Sequence, residues 1–396
     1  MSRFGRKALV DWPLDPAIIY LNHGTVGVTP NRVLEAQAEI RREIERRPAQ
    51  FLLRELSEVA VGSPRAEPPR LRVAAERVAR FLGATGMDLA FVDNATTAIN
   101  AVLRSMSFQP GDEIIIGDHA YGAIRYSADF RARETGARVR VVEIPGPPYA
   151  PAQVLAAFDQ ALTEARGRCR LAIVDHVTSE SALVLPTRAI VERCRAQGVS
   201  VLVDGAHAPG AIEVDITSMG ADWYAANLHK WEWSPRSCGI LWAARERQEG
   251  LHPPVISWGL DRGFTTEFDW VGTRDPSAAL AAPVGIDCIE EAGAKAVREY
   301  NHRLAWHAGT RLAERWGTRL PVSKEMVGTM VTLPMPERLG ATPDAAASVR
   351  DRLLVDHRIE VQVHAWRESL WVRVSAQVYN DEEDIERLAE AVLNLK

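Results

Sequence analysis

No apolar run in the 396 residues reaches the length of a membrane-spanning helix. The opening MSRFGRKALVDWPLDP holds no apolar core of signal-peptide length, which predicts a cytoplasmic protein. Basic residues are outnumbered, 47 Lys and Arg against 52 Asp and Glu, and they form no polybasic stretch, so neither nucleic acid nor an anionic membrane is an expected partner. Cysteine is scarce: Cys169, Cys194, Cys238 and Cys288. None makes a C-x-x-C pair or stands near a histidine cluster, which argues against zinc and predicts no metal site. Repeats and low-complexity segments are also missing. The sequon Asn94-Ala-Thr96 has no secretion signal to support it. What remains is the composition of a globular protein, 46% hydrophobic and 25% charged, with more chain than one ordinary domain uses.

The middle of the chain alternates short apolar runs with amphipathic stretches. The runs 90–93, 113–118, 139–144, 171–177, 199–204 and 239–242 read as strands, and 97–106, 122–134, 151–165 and 187–197 as helices. This alternation predicts crossover units and a mainly parallel sheet covered on both faces. Ligand groups in such sheets gather at the carboxyl ends of the strands. That directs attention to 94–97, 118–121, 176–179 and 204–207. At the N-terminal side, Thr29-Pro30 predicts a helix start, with Thr29 as cap and a run to Arg47. Residues 63–69 read as a Pro-rich loop. Beyond about Pro276, strands at 329–333, 360–364 and 370–375 mix with helices near 343–356 and 381–393. The expected division is an N-terminal arm 1–20, a large domain 21–275 and a smaller α+β domain 276–396, to which the N-terminal segment contributes.

The segment Val201-Leu-Val-Asp-Gly-Ala-His207 ends an apolar strand on an acid. A carboxylate there is costly without a cationic partner, and a protonated pyridine nitrogen would be one. Taken alone, Asp204 would favour the plainer reading of a loop cap or a metal ligand. Downstream, Lys230 sits among Leu228, Trp231 and Trp233. Desolvation there would lower its pKa and make the amine a nucleophile toward an aldehyde. A lone lysine beside aromatics could instead be snorkelling to solvent. The Asp-x-x-His and His-Lys pairs together favour a pyridoxal phosphate site.

In LNHGTVGVTP (21–30), NATTAIN (94–100), DHAYGA (118–123), DHVTS (175–179), VDGAHAPG (203–210), NLHKW (227–231), GTRD (272–275) and WVRVSAQVYN (371–380), the chain resembles class V of the aspartate-aminotransferase superfamily. Within it, the chain is most similar to the isopenicillin N epimerase branch. The resemblance implies a fold type I α/β architecture: a large domain with a mainly parallel seven-stranded sheet, a smaller C-terminal domain, and a homodimer with the active site at the interface. It implies pyridoxal 5′-phosphate as cofactor and a small amino compound as substrate. Lys230 would hold the cofactor as a Schiff base, Asp204 would pair with the pyridine nitrogen, and His207 would bond the phenolic oxygen. Thr96, Thr97, Asn227 and His229 would hold the phosphate, Thr273 would reach the partner's cofactor, and Ser179 would also contact the cofactor. Arg373 would clamp the substrate carboxylate, with a surface salt bridge as the plain alternative. Asn22 and His23 lie on a loop that lines the substrate site in the family. The tryptophans 231, 233, 258 and 270 read as core or interface, or as the walls of a pocket for a bulky substrate.

Two positions depart from the related cysteine desulfurases. Those usually stack a histidine on the cofactor after the strand that here ends at Asp118; Tyr121 is the favoured stacking residue, with His119 as the other candidate. Desulfurases also carry a nucleophilic cysteine shortly before the carboxylate-binding arginine, whereas 359–371 has none. The missing cysteine argues against desulfurase chemistry, and the resemblance implies epimerisation through a Cα carbanion as the expected activity. A C–S lyase on a cysteine conjugate and a transamination are the rival outcomes. A non-catalytic scaffold is disfavoured because Lys230 and Asp204 are both present.

Overall fold

The computed structural model describes residues 4–59 and 67–395. The strands are β1 Ile19–Tyr20, β2 Leu89–Val92, β3 Glu113–Gly117, β4 Arg138–Val142, β5 Cys169–Asp175, β6 Ser200–Asp204, β7 Trp223–Asn227, β8 Gly239–Ala243, β9 Met330–Pro334, β10 Ile359–Glu360, β11 Gln362–Trp366 and β12 Ser369–Ser375. Seven of them form one sheet in the order β2-β8-β7-β6-β5-β3-β4. Only β8 runs against its neighbours. The longer helices are α1 Asn31–Arg46, α2 Arg70–Phe81, α3 Ala95–Ser105, α4 Gly122–Thr135, α5 Pro151–Glu164, α6 Thr187–Ala196, α7 Ser277–Ala292, α8 Ala294–Trp316, α9 Pro343–His357 and α10 Glu382–Asn394.

Strand periodicity sorts the side chains into two cores. Ile115, Ala172, Val174, Val201 and Val203 join α2, α5 and α6 on one face. Ile114, Ile116, Leu171, Ile173 and Leu202 join α3 and α4 on the other. Both faces are covered, so these strands are near-continuous apolar runs until their last residues. By the same alternation Asp175, after Leu171 and Ile173, and Asp204, after Leu202, fall on the α3 side.

The C-terminal strands form an antiparallel sheet, β11-β12-β9, while β10 pairs in parallel with β1. The predicted strand 360–364 is thus two: the chain breaks at Val361, and its halves join different sheets. The turn between β11 and β12 is the pair Arg367-Glu368, both left-handed at φ 45° and 57°, which matches the twist of a tight hairpin. At the N-terminal side Pro30 stands in the cap position and α1 starts at Asn31. Thr29 does not cap it; its hydroxyl donates to the Ser234 carbonyl at 3.1 Å. Of the loop at 63–69, residues 63–66 lie outside the described residues. No helix among the described residues is long and apolar enough to cross a membrane.

Candidate active site

A cavity of about 450 Å³ opens at the carboxyl ends of the parallel strands. Thr25, Asn94, Thr96, Thr97, Tyr121, Asp175, Ser179, Asp204, His207, Asn227, His229 and Lys230 contribute to its lining. Every cofactor residue expected from the sequence is therefore brought to one place except Thr273, which is exposed on another surface.

Lys230 lies in the turn after β7. Leu228 and His229 donate their amides to the Cys238 carbonyl at 2.9 and 3.2 Å, which closes that turn. Two glycines allow it to pack. A Cβ on Gly27 would strike the His229 carbonyl, and one on Gly210 the Trp231 carbonyl; both have positive φ, 70° and 82°. His23 supports the turn from beneath. Its Nε2 donates to the Lys230 carbonyl at 2.8 Å, and the Tyr379 hydroxyl, 2.9 Å away, donates to Nδ1. Burial lowers the His23 pKa to about 4, so the ring is neutral.

The Lys230 amine lies 3.0 Å from His207 Nε2. On the other edge of that ring, the Trp231 indole lies 3.5 Å from Nδ1. An indole N–H can only donate, so Nδ1 accepts and the neutral ring carries its proton on Nε2, facing the amine. Burial first, then the Arg373 charge, lower the Lys230 pKa to about 7, against the pull of Asp204. The amine is thus available as a nucleophile and base near neutrality. Asp204 ends β6 and accepts from the Ala206 amide at 2.9 Å. Burial raises its pKa, offset by that amide and by Lys230.

At the other end, Asn94 caps α3 by accepting from the Thr97 amide at 2.9 Å. The Asn227 side chain accepts from the Ala95 amide, also at 2.9 Å. Two of the first amides of α3 are therefore satisfied internally, and the Thr97 hydroxyl donates to the Asn94 side chain at 3.3 Å, which leaves the Thr96 amide and hydroxyl for an anion. His229 donates from Nδ1 to the Cys238 carbonyl at 2.9 Å, so Nε2 is its free nitrogen.

Arg373 lies behind Thr25 and Ser179. It donates to the Thr25 hydroxyl at 2.8 Å and to the Ser179 carbonyl at 2.6 Å. It is 3% exposed, its Nε has no partner, and no acid among the described residues bonds to it, Glu180 acting only from a distance, so the salt-bridge alternative does not hold. Burial lowers its pKa to about 10. Asn22 and His23 stand behind the lining: Asn22 donates to Glu360 at 3.1 Å and accepts from Thr25. From that loop, Thr25 is the residue that reaches the cavity, and the sequence reading missed it. Tyr121 lines the cavity and is half exposed. His119 points away, with Nδ1 2.8 Å from the Ser181 hydroxyl and its ring edge-on to Tyr149 and Trp366.

The family description Aminotransferase class-V matches residues 69–388. The chain is 34% identical to isopenicillin N epimerase of Streptomyces clavuligerus, over 97% of this chain and 98% of that one. It is 32% identical to an L-cysteine desulfhydrase of Arabidopsis thaliana, over 95% and 87%. Among solved structures it resembles the apo cysteine desulfurase of Thermococcus onnurineus NA1, with TM-score 0.82, 21% identity and full coverage of both chains. It also resembles the cystine C-S lyase C-DES, with TM-score 0.78, 20% identity, 98% of this chain and 99% of that one. The chain belongs to the class V aminotransferase family, whose members are enzymes that use pyridoxal phosphate. The donor set here suits that group: an acid without a tightly bound cation, an amine whose pKa burial lowers to about 7, and a free amide and hydroxyl at a helix N-terminus.

Proposed function

We propose that the enzyme removes and returns a proton at the Cα of an amino acid, an epimerase-type reaction. The observation that carries the substrate class is Arg373, a buried guanidinium with no acid partner beside the cavity. Such a charge is costly unless a ligand carboxylate completes it.

Once bound, the cofactor supplies an aldehyde for the amine and an electron sink conjugated to Cα. Lys230 would carry it, and its amine would serve as the base for the Cα proton. His207 holds that amine in place. Asp204 keeps a proton on the pyridine nitrogen. Thr96, Thr97 and the free His229 nitrogen hold the phosphate, while Asn227 fixes the helix start they depend on. Ser179 and Thr25 position Arg373. The Tyr121 hydroxyl is the second proton donor that inversion requires. Asn22 and His23 act through Thr25 and the Lys230 turn.

A second reading is β-elimination from a cysteine-type substrate, favoured by the desulfhydrase relative. It needs Lys230 and a leaving group, but no donor on a second face. In both readings the enzyme is a cytoplasmic homodimer in which exposed Thr273 serves the partner's cofactor. The division into an arm 1–20, a large domain 21–275 and a small domain 276–396 belongs to the same proposal. Incubation with L- and D-amino acids in deuterated water, followed by NMR, tests it. Cα exchange with racemisation supports the first reading. Pyruvate and ammonia release supports the second, and no exchange with any α-amino acid overturns both.

A further inference from the structure

Asp204 has a neighbour to which the reaction assigns nothing. Asp175, the last residue of β5, is the register partner of Asp204, the last residue of β6, in a parallel pair. Parallel partners point to the same face, so the two carboxyls leave the sheet side by side on the α3 side. Both line the cavity, and they are 6% and 5% exposed. Their surroundings differ. Asp204 receives the Ala206 amide and the attraction of Lys230. Asp175 has only its own backbone, and the charged group set against it is Asp204. The other titratable groups nearby bring no positive charge. The His176 ring is neutral, because burial lowers its pKa to about 4, and it is bonded to the Tyr224 hydroxyl at 2.8 Å. Tyr224 and His207 are also kept neutral by burial.

Two adjacent buried carboxyls cannot both ionise at little cost. From the register pairing, the shared cavity and the one-sided donors, we infer that Asp175 is a positioning residue that keeps its proton beside Asp204. The pair then presents one negative charge, located on Asp204, to a ring nitrogen that carries one positive charge. Were both ionised, the ring end would hold an excess anion in a closed site. Were the proton on Asp204, the ring nitrogen would lose its counter-ion.

The inference rests on the pyridoxal phosphate reading for its purpose, and its test does not. Infrared difference spectra of cofactor-free protein at pH 7, Asp175→Asn minus wild type, are expected to lose a carboxylic-acid C=O band. Loss of carboxylate bands instead overturns the proposal. Asp175→Ser gives the same reading if the asparagine variant does not fold. A third measurement needs no variant. Loading wild-type protein with pyridoxal phosphate is expected to leave the acid band in place, and its disappearance on loading overturns the proposal. A protein that takes up no cofactor, seen by its visible absorbance, would remove the cofactor reading while the variant spectra still decide the state of Asp175.

Discussion

The two ends of the cavity are built as opposites. At the sheet end two buried carboxyls, Asp175 and Asp204, stand without a tightly bound cation, Lys230 acting only on Asp204 from a distance. At the small-sheet end Arg373 is buried without an acid, satisfied only by a hydroxyl and a carbonyl. Elsewhere such groups find partners within the chain: buried Glu232 accepts from the Ser234 hydroxyl, and two arginines reach acids. Buried Arg72 bonds Asp269 directly, and Arg140 reaches Glu113 at 2.6 Å. A sequence under selection for stability alone would have closed both ends in the same way, so the two uncompensated charges mark where a ligand must bring its own.

The largest effect comes from removing the group between the ends. Lys230→Ala is expected to lower Cα exchange by about 10⁴-fold, the upper range for a general base. Borohydride should then fix no cofactor on the chain. In wild type the label should be on Lys230 and not on Lys7, Lys295, Lys324 or Lys396. Asp204→Asn comes next: shape is kept and charge is lost, with an expected drop of roughly 10²–10³-fold, the size of one preorganised electrostatic partner. Near-normal exchange in that variant would contradict its role at the ring nitrogen.

Arg373 tests the opposite end. Arg373→Lys loses the fork geometry, and KM should rise about 10–100-fold with a smaller change in kcat, since charge-assisted hydrogen bonds contribute ~1.5–3 kcal/mol. Arg373→Met should lose more substrate affinity yet raise the melting temperature of the cofactor-free protein, because an unpaired buried cation is gone. If that variant melts lower, the charge is not uncompensated and the contrast between the ends fails.

Lys230 also gives the apo protein a pH dependence of definite sign. Its pKa is about 7 in the folded chain against 10.5 for a free lysine amine. Between those values the unfolded chain binds the proton and the folded chain does not, so this residue makes stability rise with pH across that window. Subtracting the profile of Lys230→Met from wild type in thermal melts should isolate a rise from about pH 7 upward. A difference that falls with pH would mean the folded amine keeps its proton.

The contrast between the ends was half legible in the sequence. Asp204 and Lys230 could be found because each carries its signal in adjacent residues: an acid closing an apolar strand, a lysine among tryptophans. Asp175 sat in a quoted motif without a role, since its meaning depends on the register of β5 against β6, which no local pattern encodes. Tyr121 and His119 were both candidates because they are two residues apart in one turn. The direction of His119 is set by Ser181, Tyr149 and Trp366, which are distant in sequence. Thr25 was missed for a similar reason: its partner Arg373 lies 348 positions away. The broken strand at Val361 looked continuous because one alternation of apolar and polar residues runs through both halves, and only their pairing separates them.

The smallest expected effect is none, and it sets the charged cavity against the places where the thiols lie. Persulfide formation requires a thiolate that reaches the far end of a bound cysteine. Where desulfurases carry that cysteine, this chain has the β11–β12 hairpin, closed by Arg367-Glu368, with Trp366 packed on His119. Cys169 and Cys194 are buried in the core on the α5 and α6 face, and burial pushes both thiols up to about 12. Cys238 is buried behind the Lys230 turn, its thiol raised well above its ordinary value by burial and by Glu232. Cys288 is half-buried beside the N-terminal arm, among Trp12, Trp233 and Val378. None of the four lines the cavity, and burial keeps each a thiol rather than a thiolate. Replacing each in turn by alanine should therefore leave turnover within about twofold, apart from stability losses of ~1 kcal/mol where a small buried group is trimmed. Sulfide release from cysteine by elimination would survive in every variant, since it calls only on Lys230. A persulfide found by mass spectrometry on one of the four, with turnover lost on its replacement, would move the chemistry from the charged cavity to a thiol and reopen the desulfurase reading.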